Sequence, residues 1–134
     1  MEINYKCPKC RSYLNIGNKI VLSVSVRSEQ KGLILFEKEL GNYEIKKHDL
    51  IQYEKGEMVG FYCPICHENL AADDVNSNLA QVLMVDEQDN EYKVMFSKIY
   101  GEHATYKVSD SNIESFGEDK EKYINFFGHG PTYD

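Results

Sequence analysis

The sequence contains no tryptophan, three prolines and no long apolar run, and these shortages limit what the chain can be. No apolar stretch approaches the roughly 18 residues that a membrane-spanning helix needs, so we expect no membrane association. The first residues, from Met1 to Cys7, lack the apolar segment of a secretory signal peptide, which predicts a reducing, cytoplasmic location. No phosphate-binding loop, Gly-x-Gly-x-x-Gly motif or Gly-x-Ser-x-Gly turn is present, so no enzyme class is indicated by such a motif.

The remaining composition is typical of a small globular protein. The 134 residues are 42% hydrophobic and 28% charged, which is ordinary globular usage and excludes a wholly disordered chain or a collagen-like fibre. No stretch rich in proline, glycine and serine separates two parts of the chain. We therefore predict a single β-rich domain over residues 1–134.

Charge is distributed unevenly along the chain, whose formal net charge is −7. Residues 1–67 contain ten basic and eight acidic side chains, whereas residues 68–134 contain five basic and fourteen acidic ones. The acidic second half should repel nucleic acids over its average surface. A basic face could form around Lys6, Lys9, Arg11 and Lys19, but scattered surface lysines are the simpler interpretation.

Alternation of apolar and polar residues predicts a mostly β fold with antiparallel sheets. In residues 19–27 one face is apolar at every second position, which is the period of a half-buried strand. We predict about eight strands, at residues 19–27, 33–40, 43–47, 50–53, 58–62, 79–85, 92–99 and 105–108. Gly41 and Asn42 are predicted to form a two-residue hairpin loop, and the acidic segment 86–90 a hairpin tip. That segment lacks the residue order of a calcium-binding loop.

One helix is predicted near the C-terminus, at residues 118–127. Acidic residues stand at its start and Gly128 follows its end, as helix termini favour. Tyr123, Phe126 and Phe127 could dock this helix on a sheet. Residues 128–134 lack periodicity and are predicted to be a mobile tail.

Two ten-residue segments, 5–14 and 61–70, share the pattern aromatic-x-Cys-Pro-x-Cys-basic-x-x-Leu. The likeness does not extend into the flanking sequence, so it indicates two equivalent corners rather than a repeat protein. Each Cys-x-x-Cys turn supplies two sulfurs, and four sulfurs complete the tetrahedral shell of a structural Zn²⁺. The predicted ligands are Cys7, Cys10, Cys63 and Cys66.

These two Cys-Pro-x-Cys corners resemble the knuckles of the zinc-ribbon (zinc β-ribbon) class, whose four-cysteine sites are made from two such knuckles. The resemblance covers about ten residues per corner and implies a closed, structural metal site. Zinc ribbons often have glycine after the second cysteine of a knuckle, and here Arg11 and His67 stand at that position. The 52 residues between the knuckles are more than a compact ribbon has, so they should form a sheet of their own.

Three other uses of the cysteines are open to a chain of this kind. A rubredoxin-like iron site uses the same four sulfurs. A thioredoxin-like redox pair needs one Cys-x-x-Cys at the start of a helix in a βαβ unit, which this pattern does not predict. Two disulfides would require an oxidising compartment.

The functional prediction is a non-catalytic, zinc-stabilised module that binds a protein partner. Nucleic-acid binding or a role in transcription is the alternative, since many zinc ribbons serve there and the first knuckle is basic. A small enzyme using Glu102, His103 and Tyr106 is a third hypothesis, which requires these side chains to converge in a cleft. His67 follows a ligand directly, and we expect it outside the metal shell.

Overall fold

The chain folds into two antiparallel five-stranded sheets in a computed structural model that describes residues 3–26, 31–48, 54–109 and 112–123. The strands are β1 (Asn4–Lys6), β2 (Asn15–Ile16), β3 (Lys19–Ser25), β4 (Lys31–Glu37), β5 (Ile45–Lys47), β6 (Gly60–Tyr62), β7 (Leu79–Val85), β8 (Glu91–Ser97), β9 (Thr105–Val108) and β10 (Ile113–Phe116). Within these ranges the only helical element is the 3-10 turn Lys120–Lys122.

The structure divides into two halves, residues 4–47 and 60–116, and each sheet contains one short strand from the half that does not supply its other strands. The β7 sheet has the order β1-β7-β8-β9-β10, so its first strand comes from the N-terminus. In the β3 sheet, β3 pairs with β4, and β4 pairs with β5, while β2 and β6 both pair with β3. The strand that leads into each cysteine pair therefore lies in the sheet of the opposite half.

The two halves share one strand register. Ile20 lies opposite Phe36 across the β3–β4 pair, and sixty residues later Ala80 lies opposite Phe96 across the β7–β8 pair. The next strand pairs repeat this correspondence, with the same offset between β4–β5 and β8–β9. We call this correspondence the sixty-residue repeat, and it extends well beyond the two corners that the sequence pattern indicates.

The short exchanged strands occupy equivalent positions in the two halves, although equivalent residues of the knuckle segments are 56 and not sixty residues apart. Tyr5 of β1 lies opposite Met84 of β7, and Phe61 of β6 lies opposite Val24 of β3. The two halves are thus related by a pseudo-twofold arrangement in which each contributes one short strand to the other.

The main core lies between the two sheets. Alternate residues of β3 are buried, as the period of the sequence predicts, and the facing residues of β7 and β8 pack against them. Phe36, Phe61 and Phe96 contact one another with ring centroids 5.2 to 5.8 Å apart. Phe36 and Phe96 are equivalent positions of the repeat, so the core is built around the pseudo-twofold axis.

A second apolar cluster covers the outer face of the β7 sheet. Its buried members are Ala72, Leu79, Met95, Ala104, Tyr106 and Tyr123. Leu79 is the member of this cluster that β7 supplies, and six of the seven residues of β7 are buried, in keeping with its nearly continuous apolar sequence. Tyr123 docks on the sheet as the sequence predicts, although it does so from a 3-10 turn.

The predicted C-terminal helix is wrong over residues 118–123, where the chain forms only that turn. The Asp119 carboxylate and amide both bond to the backbone of His103, and the Tyr106 hydroxyl donates to the Lys120 carbonyl. That carbonyl is one an α-helix would need for its own ladder, so these contacts favour the tighter turn. Residues 124–134, including Phe126, Phe127 and the predicted tail, lie outside the described ranges.

The strand prediction is confirmed for the long strands and incomplete for the short ones. The described parts contain ten strands rather than about eight, because β1, β2 and β10 were not predicted. The predicted strand at residues 50–53 lies outside the described ranges. The hairpin tip at 86–90 is confirmed, with the Asp86 carboxylate accepting the backbone N–H groups of Gln88 and Asn90.

The predicted two-residue loop at Gly41 and Asn42 is wrong. Strand β4 ends at Glu37 and β5 begins at Ile45, so the connection has seven residues. The Asn42 side chain accepts the Glu44 N–H and fixes a turn that ends the strand pairing early.

Candidate metal centre

The first knuckle is a tight turn at the end of β1. The Arg11 N–H donates to the Cys7 carbonyl (2.9 Å), and the Cys7 N–H donates to the Ser12 carbonyl (3.0 Å). The backbone N–H groups of Lys9 and Cys10 point at the Cys7 sulfur, at 3.2 and 3.4 Å. A sulfur that accepts two amide hydrogen bonds is prepared to carry the negative charge of a metal-bound thiolate.

The second knuckle repeats this geometry at the end of β6. The His67 N–H donates to the Cys63 carbonyl (2.9 Å), and the Cys63 N–H donates to the Glu68 carbonyl (3.1 Å). The amides of Ile65 and Cys66 both lie 3.3 Å from the Cys63 sulfur. The sequence likeness of the two corners therefore corresponds to one backbone conformation used twice.

Arg11 and His67 adopt the left-handed conformation, with φ of 65° and 70°. These are the positions at which zinc ribbons often have glycine, the residue that enters this region without steric strain. The two side chains are accommodated in this backbone conformation at a cost of about 1 kcal/mol each.

The four cysteine sulfurs converge between the two knuckles. Cys7 lies 3.8 Å from Cys66, and Cys10 lies 3.8 Å from Cys63, sulfur to sulfur. All four sulfurs lie within 4.8 Å of one another and none forms a disulfide. A Zn–S distance of about 2.3 Å places the sulfurs of a regular tetrahedron about 3.8 Å apart, so the cluster has the dimensions of a four-sulfur metal site.

Neighbouring groups shift the pKa values of Cys7, Cys10 and Cys66 in different directions when no cation is present. Burial raises the pKa of Cys7, whereas hydrogen bonds from the Ser12 hydroxyl and amide lower the pKa of Cys10 to about 6. For Cys66, the Glu68 amide lowers the pKa, but burial and the adjoining thiols outweigh it and raise the value to about 12. Four thiolates so close together would repel strongly, and a divalent cation would remove that repulsion and release the protons.

Hydrogen bonds from the long strands hold both knuckles in place. The buried Leu14 and Leu70 follow the two knuckles at equivalent positions. The Leu14 carbonyl accepts the Val21 N–H of β3, and the Leu70 carbonyl accepts the Gln81 N–H of β7, each at 2.8 Å. Each knuckle is thereby anchored to the long strand of its own half, while its entry strand pairs with the other half.

His67 lies outside the sulfur cluster, as predicted. Its side chain is exposed, and its backbone N–H donates to the Cys63 carbonyl within the knuckle.

No family model, curated protein or solved structure matches the chain. Within the described ranges, no helix is long and apolar enough to cross a membrane.

Glu102, His103 and Tyr106 do not assemble into one constellation. The Glu102 carboxylate accepts hydrogen bonds from Ser97, Tyr123 and Lys122, on the side of the sheet where the Tyr106 hydroxyl meets the C-terminal turn. The His103 ring instead stacks on Tyr43, with its Nδ1 3.7 Å from the Glu118 carboxylate.

The sequence pattern did not indicate that Ser97 and Tyr123 bind Glu102, or that Tyr43 contacts His103. The partners lie between 5 and 60 residues apart, at spacings that carry no motif. Tyr43 and His103 are related only by the sixty-residue repeat. That repeat retains few identical residues, so it is recognised only from the strand registers.

Proposed function

We propose that the four cysteines hold one structural Zn²⁺ and that the chain is a non-catalytic, protein-binding module of the cytoplasm. The observation that carries this proposal is the pair of 3.8 Å sulfur separations across the two knuckles. The four cysteines are free thiols, which supports a reducing compartment, since an oxidising compartment would favour disulfides.

Four sulfur donors favour a structural role for the ion. A catalytic zinc keeps one position for water or substrate, whereas four thiolates fill the tetrahedron. The ion would supply charge neutralisation and a crosslink between the two knuckles. Cys7 and Cys63 are fully buried, and Cys10 is exposed, so the ion would lie at the protein surface with one side shielded.

Exposed apolar side chains near the knuckles support a protein partner. Ile65, at the tip of the second knuckle, is 55% exposed, and Tyr13, just after the first, is 59% exposed. Ile16 in β2 is 75% exposed. Large apolar side chains displayed around one structural feature are typical of an interaction surface rather than of random exposure.

The charges near the knuckles favour this interpretation over nucleic-acid binding. Arg11 forms an ion pair with Glu91, and the Lys6 ammonium lies 5.2 Å from the centre of the Tyr13 ring. Two of the basic groups that could contact phosphates are therefore engaged within the protein. The acidic second half adds repulsion.

Metal analysis tests the first part of the proposal. Protein purified without added metal should contain one zinc per chain by mass spectrometry, and the Cys63→Ser variant should contain far less. One iron per chain with the absorption bands of an iron–thiolate centre, or a fully folded chain without metal, would contradict a structural zinc.

The protein-binding part is tested by surface variants that leave the metal in place. A partner captured from lysate and identified with the intact protein should be lost with Ile65→Glu or Tyr13→Glu. The control Leu33→Glu changes a similarly exposed residue, 56% accessible, on β4, which is separated from β6 and the second knuckle by strand β3. Retained binding in both knuckle variants, or a steeply salt-dependent gel shift with nucleic acid, would reject this part.

A further inference from the structure

A cavity of about 460 Å³ lies between the two sheets, along the pseudo-twofold arrangement of the halves. Its walls come in pairs related by the sixty-residue repeat, among them Ile34 with Val94 and Phe36 with Phe96. The cavity is therefore a product of how the halves meet rather than of one irregular loop.

The interior of the cavity is apolar and aromatic. Phe36, Phe61 and Phe96 form one wall through their mutual ring contacts. Leu40 and Ile45 are only partly buried and continue the apolar surface toward solvent. A volume of this size falls in the range of small-molecule binding sites.

Two equivalent loops form the mouth of the cavity. Residues 38–44 connect β4 to β5, and residues 98–104 connect β8 to β9, each over seven positions. Gly41 and Gly101 occupy matching places with φ of 91° and 88°. Tyr43 and His103 are also equivalent and stack at the mouth, with ring centroids 4.3 Å apart and planes 5° from parallel.

Carboxylates outnumber ammonium groups among the charged side chains that line the cavity, namely Glu37, Glu39, Glu102, Glu118, Lys55 and Lys98. Glu37 and Glu102 are paired with lysines elsewhere. Across the described ranges, Glu39 has no cationic partner, and Glu118 faces the imidazole of His103 at 3.7 Å. Lys55 and Lys98 balance the remaining carboxylates in number. Locally, however, the Glu118 carboxylate lies beside the Tyr43–His103 ring pair, and a carboxylate next to stacked aromatic rings attracts a cation.

We propose that this cavity binds a small molecule with an apolar, ring-containing body and a cationic amine head. The body fills the aromatic interior, and the amine lies at the mouth near Glu118 and the stacked rings. This site is separate from the cysteine cluster and does not depend on which metal the cysteines hold.

A pair of probes of matched shape tests the charge preference on the unaltered protein. Binding of 2-(1-naphthyl)ethylamine and of 1-naphthaleneacetic acid is followed by NMR chemical-shift changes and by calorimetry. We expect the amine to bind at least about tenfold more tightly than the acid, with the largest shifts at residues of the two mouth loops. No binding by either probe, or equal binding by both, would overturn the proposal.

Two pairs of variants locate the site. Ile45→Trp should block the cavity and abolish amine binding, whereas Leu35→Trp, on the neighbouring strand but outside the lining, should not. Glu118→Gln should reduce the preference for the amine severalfold, and Glu114→Gln, which lies outside the lining, should leave it unchanged. Equal effects within either pair would place the probe elsewhere and reject the site. An unchanged far-ultraviolet circular dichroism spectrum shows that each variant is folded.

Discussion

Tyr43 and His103 stand sixty residues apart in the chain and stack on each other with nearly parallel rings. Each follows β4 or β8 at the same position of the connecting loop, so the stack joins equivalent points of the two halves. The Tyr43 hydroxyl also bonds to the Thr105 hydroxyl at 2.8 Å and donates to the Phe116 carbonyl at 3.2 Å. One residue of the first half thereby holds three elements of the second.

We expect Tyr43→Phe to destabilise the fold by about 1 kcal/mol, because it removes these hydroxyl contacts and keeps the ring stack. Chemical denaturation measures the change in the free energy of unfolding. Tyr13→Phe is the control, since that side chain is 59% exposed. Equal stability of the two variants would show that the hydroxyl contacts contribute nothing.

The Cys63→Ser variant should lose its metal and several kcal/mol of stability. The ion would close a loop of more than fifty residues between the knuckles, and opening that loop raises the entropy of the unfolded chain. The melting temperature and metal content are measured together. His67→Asn is the matched control, because asparagine tolerates the left-handed backbone beside the ligands. Chelation of the intact protein should reproduce the Cys63→Ser melting curve, and an unchanged curve would contradict a metal-stabilised fold.

His67→Gly should stabilise the second knuckle by up to about 1 kcal/mol, since glycine adopts a φ of 70° without strain. Glu68→Gly, at the next residue, has no such strain to relieve and should destabilise through added backbone entropy. Thermal melting of the two metal-loaded variants compares them. Destabilisation of similar size in both would show that the histidine backbone is unstrained.

Glu102 predicts an acid-sensitive contribution to stability. Burial alone would raise its pKa, but hydrogen bonds from Lys122, Ser97 and Tyr123 outweigh burial and hold the pKa below its ordinary value. Since the folded-state pKa is depressed, this stabilisation is present above the unfolded pKa of about 4.3 and is lost as the pH falls through the folded pKa.

The variant Glu102→Gln should therefore be less stable than the intact protein at pH 7, and the difference should shrink below about pH 4. Urea unfolding across pH 3 to 8 measures it. Glu114→Gln, at a carboxylate that is 52% exposed, should show little difference at any of these pH values. A gap between Glu102→Gln and the intact protein that does not change with pH would assign the effect to shape rather than charge.

The metal centre could be predicted from sequence because its information is local. The spacing of two cysteines and a proline determines a turn, and two such turns supply four sulfurs wherever the chain brings them. The long strands were predictable for a similar reason, since β3 alternates buried and half-buried residues along its length. That the two knuckles would meet could be inferred only because one metal ion needs all four sulfurs as ligands.

The short strands and the repeat depend on contacts between distant residues. Strands β1 and β2 have three and two residues, which is too short for a periodic signal, and pairing with β7 and β3 defines them. The repeat keeps few identities, such as Phe36 with Phe96 and Gly41 with Gly101, because a strand register is maintained by burial and not by residue identity. The helix prediction failed where the Asp119 side chain accepts the His103 N–H instead of capping the turn that follows it.

The exchange of β1 and β6 between the halves means that neither half can complete its own sheet. Fragments covering residues 1–48 and 54–123 would each present the long strand that the other fragment's short strand must join. Mixed in the presence of zinc, they should recover the intact architecture by complementation. Separately, each fragment would expose an unpaired strand edge, which can pair with other copies of the same fragment. Having both halves in one chain therefore protects these strands from aggregation.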